Sequence, residues 1–215
     1  MKSVVPAIIP TSAEDIKDVL SDLTYVPEIQ IDIVDGKFVH FTSWPYSPQG
    51  TPSEVSIETD KFTLEVDLMV EDQIKAAKDW IDAGADMLVF HIEGIDLQTL
   101  TDFVQTTSVS IGVSARNDTP LENFLPYIAI TDYVQLMGIA EIGTQGQPFD
   151  ERVLERIKNI KESFPNHMVS IDGSVNKNTI TQLHEAGADR FISGSAILSA
   201  PDSEFAYNEL KEMIN

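Results

Sequence analysis

Cysteine is absent from the 215 residues, which excludes a disulfide framework and any thiolate chemistry. A cytoplasmic location fits that absence. Positive charge is scarce: 14 Lys and Arg stand against 35 Asp and Glu, a formal net charge of -21. Such a surface repels nucleic acid and anionic lipid at long range, so neither is expected as a partner. A phosphorylated small molecule is not excluded, because backbone N–H groups and helix N-termini bind phosphate without Lys or Arg. No apolar run reaches the roughly 18 residues of a membrane span. The opening stretch MKSVVPAIIPTSAED breaks its apolar run at Pro6 and Pro10 and lacks a small-residue cleavage site, so no signal peptide is expected.

What is present is alternation. The length suits a single domain over residues 1–215 rather than two. Short β-branched runs at 3–9, 28–34, 62–70, 86–92, 108–114, 132–138, 168–172 and 190–194 read as strands. Between them lie helical periods. Thr11 and Ser12 offer N-caps, with Glu14 placed for a capping box on Thr11, ahead of Ile16, Val19, Leu20 and Leu23. A helix over 71–82 is expected to bury Ile74, Ala77 and Ile81 and to end at Gly84. Further helices are expected near 121–128, from Asp150 through Phe164, over 177–186 and over 203–213. Ala83-Gly84-Ala85-Asp86 is echoed by Ala186-Gly187-Ala188-Asp189. Eight strands alternating with helices imply an α/β fold, a single (β/α)₈ barrel closed by its eight strands. An open doubly wound sheet is the alternative. No GxGxxG follows the first strand, which weakens a dinucleotide-binding version of it. The long connection 36–60, carrying Trp44 and Tyr46, is placed either to cover the site or to pack on the barrel.

In such a barrel the chemistry lies at the C-terminal ends of the strands. The polar residues there are Asp32, Asp35, Asp67, His91, Ser114, Asp172 and the Gly194-Ser195 pair. Carboxylates converging on one mouth repel unless a positive charge sits among them, and oxygen-only ligands favour Mg²⁺ or Mn²⁺. Each Asp alone reads equally as a helix N-cap. Glycines cluster after the sixth strand (Gly143 to Gln147), after the seventh (Asp172-Gly173-Ser174) and after the eighth (Ser193-Gly194-Ser195). There the backbone can approach an anion closely, although plain turns also use glycine.

Read in order, these segments resemble the ribulose-phosphate 3-epimerase family. IDIVDGKFV is similar to its xDxMDGxFVP, GADMLVFHIEG to GADxxxFHxEA, VSIDGSV to IxVDGGV, and AGADRFISGSAIL to AGADxxVAGSAIF. VPAIIP, EVDLMV, GVSARNDTP and QLMGIAEIGTQGQPF stand at the other motif positions, and the likeness covers about 200 residues. The resemblance implies proton transfer at carbon 3 of a ketose 5-phosphate between two aspartates, here Asp32 and Asp172. A divalent metal ion assists. It implies phosphate held by Gly146, Gly173, Ser174, Gly194 and Ser195. The substrate cavity would be lined by Ala7, Val34, Met69, His91 and Met137. Family members are often oligomeric, so a homo-oligomer is an expectation too.

The departures lie at the metal. Gln30 and Asp67 stand where the family has histidines, giving the set Gln30, Asp32, Asp67 and Asp172. That hard set shifts preference from Zn²⁺ toward Mg²⁺ or Mn²⁺, or leaves the site without metal. Ala7 replaces a serine that touches substrate, and Val34 a methionine. Two other readings follow. One is a non-catalytic sugar-phosphate-binding relative, supported by loss of both histidines. The other is a lyase of the hexulose-phosphate synthase or decarboxylase kind, whose DxKxxD motif is approached by Asp67 to Asp72 but has Met69 at the lysine position. His40, His167 and His184 read as surface residues, and Glu93 with Arg116 as a candidate pair across neighbouring strand ends.

Overall fold

The computed structural model describes residues 2–143 and 146–215. Eight parallel strands pair in sequence order and close into a barrel, the last strand returning to the first. β1 (Ser3–Ile8), β2 (Glu28–Val34), β3 (Thr63–Met69) and β4 (Met87–His91) form one half. β5 (Ser110–Ala115), β6 (Tyr133–Met137), β7 (Met168–Asp172) and β8 (Arg190–Ser193) form the other.

The alternation of β2 explains how the barrel is filled. Ile29, Ile31 and Ile33 face outward and are wholly buried under the surrounding helices. Gln30, Asp32 and Val34 share the opposite, inward face, as the period of two requires. The same holds on β3, where Leu64, Val66 and Leu68 join the outer core while Glu65, Asp67 and Met69 point in. Parallel strands buried on both faces are usually apolar throughout. Here the inward faces of β2 and β3 carry Gln30, Asp32, Glu65 and Asp67, so period-two alternation survives in fully buried strands.

The helices follow from their caps and apolar spacing. α1 (Ala13–Asp22) buries Ile16 and Leu20. Its cap is Ser12, whose Oγ accepts from the Asp15 N–H at 3.0 Å. Thr11 instead donates its own N–H and hydroxyl to the Asp15 carboxylate. The connection after β2 holds a short 3₁₀ turn (Pro52–Glu54) and the one-turn helix α2 (Ser56–Thr59). α3 (Gln73–Asp82) starts at its Asp72 cap, and its inner face differs from expectation: Gln73, Ala76, Ala77 and Trp80 are buried, while Ile74 and Ile81 are only half-covered. Alanine brings the helix close to β3, and Trp80 packs edge-on against Trp44, with ring centroids 6.1 Å apart. α4 (Leu97–Val104), capped by Asp96, completes the fourth βα unit, where the sequence offers no clear period.

α5 (Leu121–Ile128) stands as expected, while α7 (Ile180–Ala186) begins three residues later than the expected 177–186. α6 (Arg152–Ser163) begins two residues after Asp150, which accepts the Arg152 N–H at 3.1 Å and pairs with its guanidinium. α8 (Ser195–Leu198) is one turn, and α9 (Ser203–Glu212) closes the chain against β1.

The two Ala-Gly-Ala-Asp echoes share one construction. Gly84 and Gly187 follow their helices with φ of 105° and 115°, a left-handed region that favours glycine. Asp86 and Asp189 then accept the N–H of Leu64 and of Val169, tying each new strand to the one before it. Asp132 does the same for Ile111.

In the connection after β2, Trp44 is buried against the barrel, whereas Tyr46 is 37% exposed. Phe38 and Val39 pack on an apolar cluster of Val34, Met69, Met137, Ile139 and Ile142, so the start of this connection lies over part of the barrel mouth.

Candidate active site

A cavity of about 330 Å³ opens at the C-terminal ends of the strands. Asp32 from β2 and Asp172 from β7 both line it, three strands apart around the barrel. Met69, Met137, Ile139 and Ile192 supply apolar wall, with Ala7 and Ile9 beside them. Gly146, Gly173, Ser174, Gly194 and Ser195 line the same cavity from the loops after β6, β7 and β8. Gly173 has φ 93°, and Ser174 takes φ 55° despite its side chain. A non-glycine residue there is uncommon and marks a constrained turn. The Ser174 hydroxyl donates to the Gln147 carbonyl at 3.2 Å, joining the loops after β7 and β6. Thr144 and Gln145, part of the expected glycine-rich loop, lie outside the described residues.

Beneath the cavity sits a third carboxylate. Asp67 pairs in register with Asp32 on the neighbouring strand. One oxygen each of Asp32, Asp67 and Asp172 lies within 4.8 Å of the others. Asp67 and its surroundings are sealed from solvent: His91 Nε2 sits 2.7 Å from its Oδ1, and Gln135 Nε2 donates to its Oδ2 at 2.9 Å. Gln30 Nε2 donates to Asp32 Oδ1 at 2.8 Å, and Gln30 Oε1 is buried without a partner among the described residues.

The electrostatics follow from burial and crowding. Burial pushes the Asp172 carboxyl up to about 7, and Asp67 adds to it, while the Gly173 N–H pulls the other way. Asp32 is raised well above the ordinary carboxylate range by burial, then by Asp172 and Asp67. Burial favours neutral His91, but the charge and hydrogen bond of Asp67 outweigh it and raise the imidazole above its ordinary value.

Of the residues expected around the substrate, Ala7, Met69 and Met137 line the cavity, whereas Val34 and His91 do not. Val34 lies under the Phe38 and Val39 cover. His91 is wholly buried, its ring 5.5 Å from that of Phe38. Gln30 and Asp67 sit below the cavity floor rather than on it. Asp35 turns away from the site and accepts the N–H groups of Lys37, Phe38 and Glu71. Glu93 meets the chain of the β5 loop through the Arg116 backbone N–H and the Thr119 hydroxyl, not the Arg116 guanidinium. His167 and His184 are half-buried, one bonded to the carbonyls of Ile128 and Thr131, the other edge-on to Phe191; His40 is exposed.

Two functional neighbours escape sequence reasoning. Gln135 lies two residues before Met137 and so shares its inward face; that spacing is the available signal. Gln73 is buried at the start of α3 and clamps the His91 backbone, accepting its N–H and donating to its carbonyl, each at 2.8 Å. No sequence pattern announces a contact 18 residues away.

Comparison with known proteins gives the chain its family. The model of the ribulose-phosphate 3 epimerase family matches residues 1–198. The chain belongs to the ribulose-phosphate 3-epimerase family. It is thereby an enzyme of the isomerase class. The ribulose-phosphate 3-epimerase of Mycobacterium leprae is 27% identical over 214 residues, covering 97% of this chain and 93% of that one. The ribulose-phosphate 3-epimerase, cytoplasmic isoform, of Oryza sativa subsp. japonica is 28% identical over 191 residues, covering 86% and 82%. Among solved structures, the 3-keto-L-gulonate-6-phosphate decarboxylase of Vibrio cholerae superposes with a TM-score of 0.74 at 16% identity, over 100% of this chain and 98% of that one. At that identity the likeness is one of fold.

Within this epimerase-family barrel the residues fit a divalent cation. Three carboxylates converge, and Gln30, bonded to Asp32 through its amide nitrogen, carries a neutral oxygen with no partner among the described residues. Buried polar atoms without partners are rare in folded proteins, and a cation would satisfy both the orphan oxygen and the repulsion among the acids. No described helix is long and apolar enough to cross a membrane.

Proposed function

We propose that the chain interconverts the carbon-3 epimers of a ketose 5-phosphate, D-ribulose 5-phosphate and D-xylulose 5-phosphate or a close relative. The observation that carries this reading is that Asp32 and Asp172 face one cavity from β2 and β7. In this reading Asp32 removes the proton beside the ketone on one face of the substrate, and Asp172 returns one on the other. A carboxyl pushed up to about 7 suits such work near neutral pH, because it gives and takes protons with equal ease. Gly146, Gly173, Ser174, Gly194 and Ser195 hold the phosphate, largely through backbone N–H groups, which suits a chain so poor in Lys and Arg. Met69, Met137 and Ile139 keep water from the reacting carbon.

Asp32, Asp67 and Asp172, with Gln30, would hold the metal. An all-oxygen donor set favours Mg²⁺ or Mn²⁺ over Zn²⁺. Bound there, the ion supplies positive charge against the negative charge that develops on the substrate oxygens. The cytoplasm is the proposed location, in keeping with the name of the rice relative.

A second reading, a sugar-phosphate-binding protein without turnover, draws on Gln30 and Asp67 at the histidine positions. Incubation with D-ribulose 5-phosphate and Mg²⁺, Mn²⁺ or Zn²⁺ in turn separates the two. Xylulose 5-phosphate formed with Mg²⁺ or Mn²⁺ supports the epimerase. Phosphate-ligand binding without product under any metal supports the binding protein.

A further inference from the structure

Asp67 differs from the other two carboxylates in how it is held. Asp32 and Asp172 reach the cavity wall, but Asp67 is wholly buried below it. Both of its oxygens are tied, one by His91 on the adjacent strand β4 and one by Gln135 on β6, three strands around the barrel. His91 is itself immobilised. Gln73 clamps its backbone at both N–H and carbonyl, and Phe38 tilts across its ring at 58°. Its Nδ1 is buried without a partner among the described residues, so the contact with Asp67 sets the ring's orientation.

This arrangement answers a physical difficulty. Three carboxylate oxygens within 4.8 Å repel, and an unsupported Asp67 would turn away from Asp32 and Asp172. Each carboxylate oxygen has two lone pairs, so one hydrogen bond on each leaves further acceptor capacity on both oxygens. Donors behind a metal-binding carboxylate fix its direction and tune its basicity.

We propose that His91 and Gln135 are positioning residues that hold Asp67 in the direction in which it completes a divalent-cation site with Asp32 and Asp172. The inference rests on the metal site of the proposed epimerase. It adds that imidazole here acts one layer behind the cation, through a carboxylate, where the family pattern has imidazole on the metal itself. Gln135 belongs to the same device, reaching across the barrel axis to a strand it does not pair with.

Titration of the full chain with Mn²⁺, read by the electron paramagnetic resonance of free and bound ion, tests this without reference to turnover. Thermal denaturation of each metal-free variant runs beside it. His91→Leu and the near-isosteric Gln135→Met should each weaken Mn²⁺ binding by about 10–100-fold, the range for loss of an outer-shell partner. His91→Gln, whose side-chain N–H can stand in for that of Nε2, should restore most of the affinity. If His91→Leu does not fold, Gln135→Met decides. Wild-type Mn²⁺ affinity in the folded Leu and Met variants, with only thermal stability altered, overturns the positioning role and leaves the metal site standing. Absence of Mn²⁺ binding by the wild-type protein overturns the metal site and the positioning role together.

Discussion

Arg190 Nη1 lies 2.7 Å from Glu65 Oε2 inside the barrel, with the two side chains 3% and 0% exposed. Arg190 also reaches Glu28 and Ser170, and the Tyr133 hydroxyl donates to the other Glu65 oxygen at 2.6 Å. Glu65 stands two residues before Asp67, so this network forms the layer beneath the carboxylate cluster, toward the N-terminal ends of the strands. Burial favours loss of the Arg190 proton, but Glu65, Tyr133 and Glu28 outweigh it and hold the guanidinium charged.

The first prediction concerns that pair. Arg190→Met leaves Glu65 buried without its cation and should cost about 3–5 kcal/mol, measured by urea unfolding. The double variant Arg190→Met with Glu65→Leu should recover much of the loss, since a well-packed apolar pair removes both desolvation costs. An undiminished midpoint in the single variant would show the pair to be energetically idle.

A second prediction separates chemistry from binding. Asp32→Asn and Asp172→Asn each remove a carboxylate that lines the cavity and leave the glycine loops in place. Turnover should vanish in both while affinity for inorganic phosphate stays near that of the wild type. Retained turnover in either variant contradicts the two-base assignment.

The third follows from a close approach of two loops. A Cβ on Gly138 would collide with the Gly173 carbonyl oxygen, and the Gly138 N–H already donates to Asp172 O at 2.6 Å. Gly138→Ala must therefore push the β7 loop aside. It should cost about 1–3 kcal/mol, as overpacking does. The same shift should raise KM for the sugar phosphate, because Gly173 and Ser174 move with the loop. Unchanged Tm and KM would show that the loop has room to yield.

The fold is legible because each strand is a short β-branched run that ends where a helical period begins, and eight such units leave few topologies open. α4 is hidden because Leu97 and Leu100 are separated by polar residues and their Asp96 cap is inconspicuous in sequence. The inner face of α3 departs from its hydropathy, which favours Ile74 and Ile81, because packing on the barrel favours Ala76, Ala77 and Trp80. Asp32 and Asp172 are readable from their strand-end positions. The partners of Asp67 are not: Gln135 is 68 residues away and His91 is 24, and only barrel closure brings them together.

A fourth prediction is a pH dependence. Asp150 is held down to about 2, chiefly by its hydrogen bonds from Arg152, with Asn117 adding another. A carboxyl depressed in the folded state stabilises it above the unfolded pKa of about 3.9. That contribution is lost as pH falls from near 4 through about 2. Arg152→Leu should let the Asp150 pKa rise and so shrink this stabilisation above pH 4, while Asp150→Asn should remove it at every pH. Acid titrations followed by circular dichroism would register both; identical acid midpoints for all three proteins would discount the pair.

Proton exchange at carbon 3 of D-ribulose 5-phosphate in D₂O, followed by proton NMR with Mg²⁺ or Mn²⁺ present, tests the central claim most directly. Deuterium entering carbon 3 as xylulose 5-phosphate appears is the predicted result, with both events lost in Asp32→Asn and Asp172→Asn. Absence of exchange by the wild-type protein, with phosphate binding intact, would contradict epimerisation of this sugar.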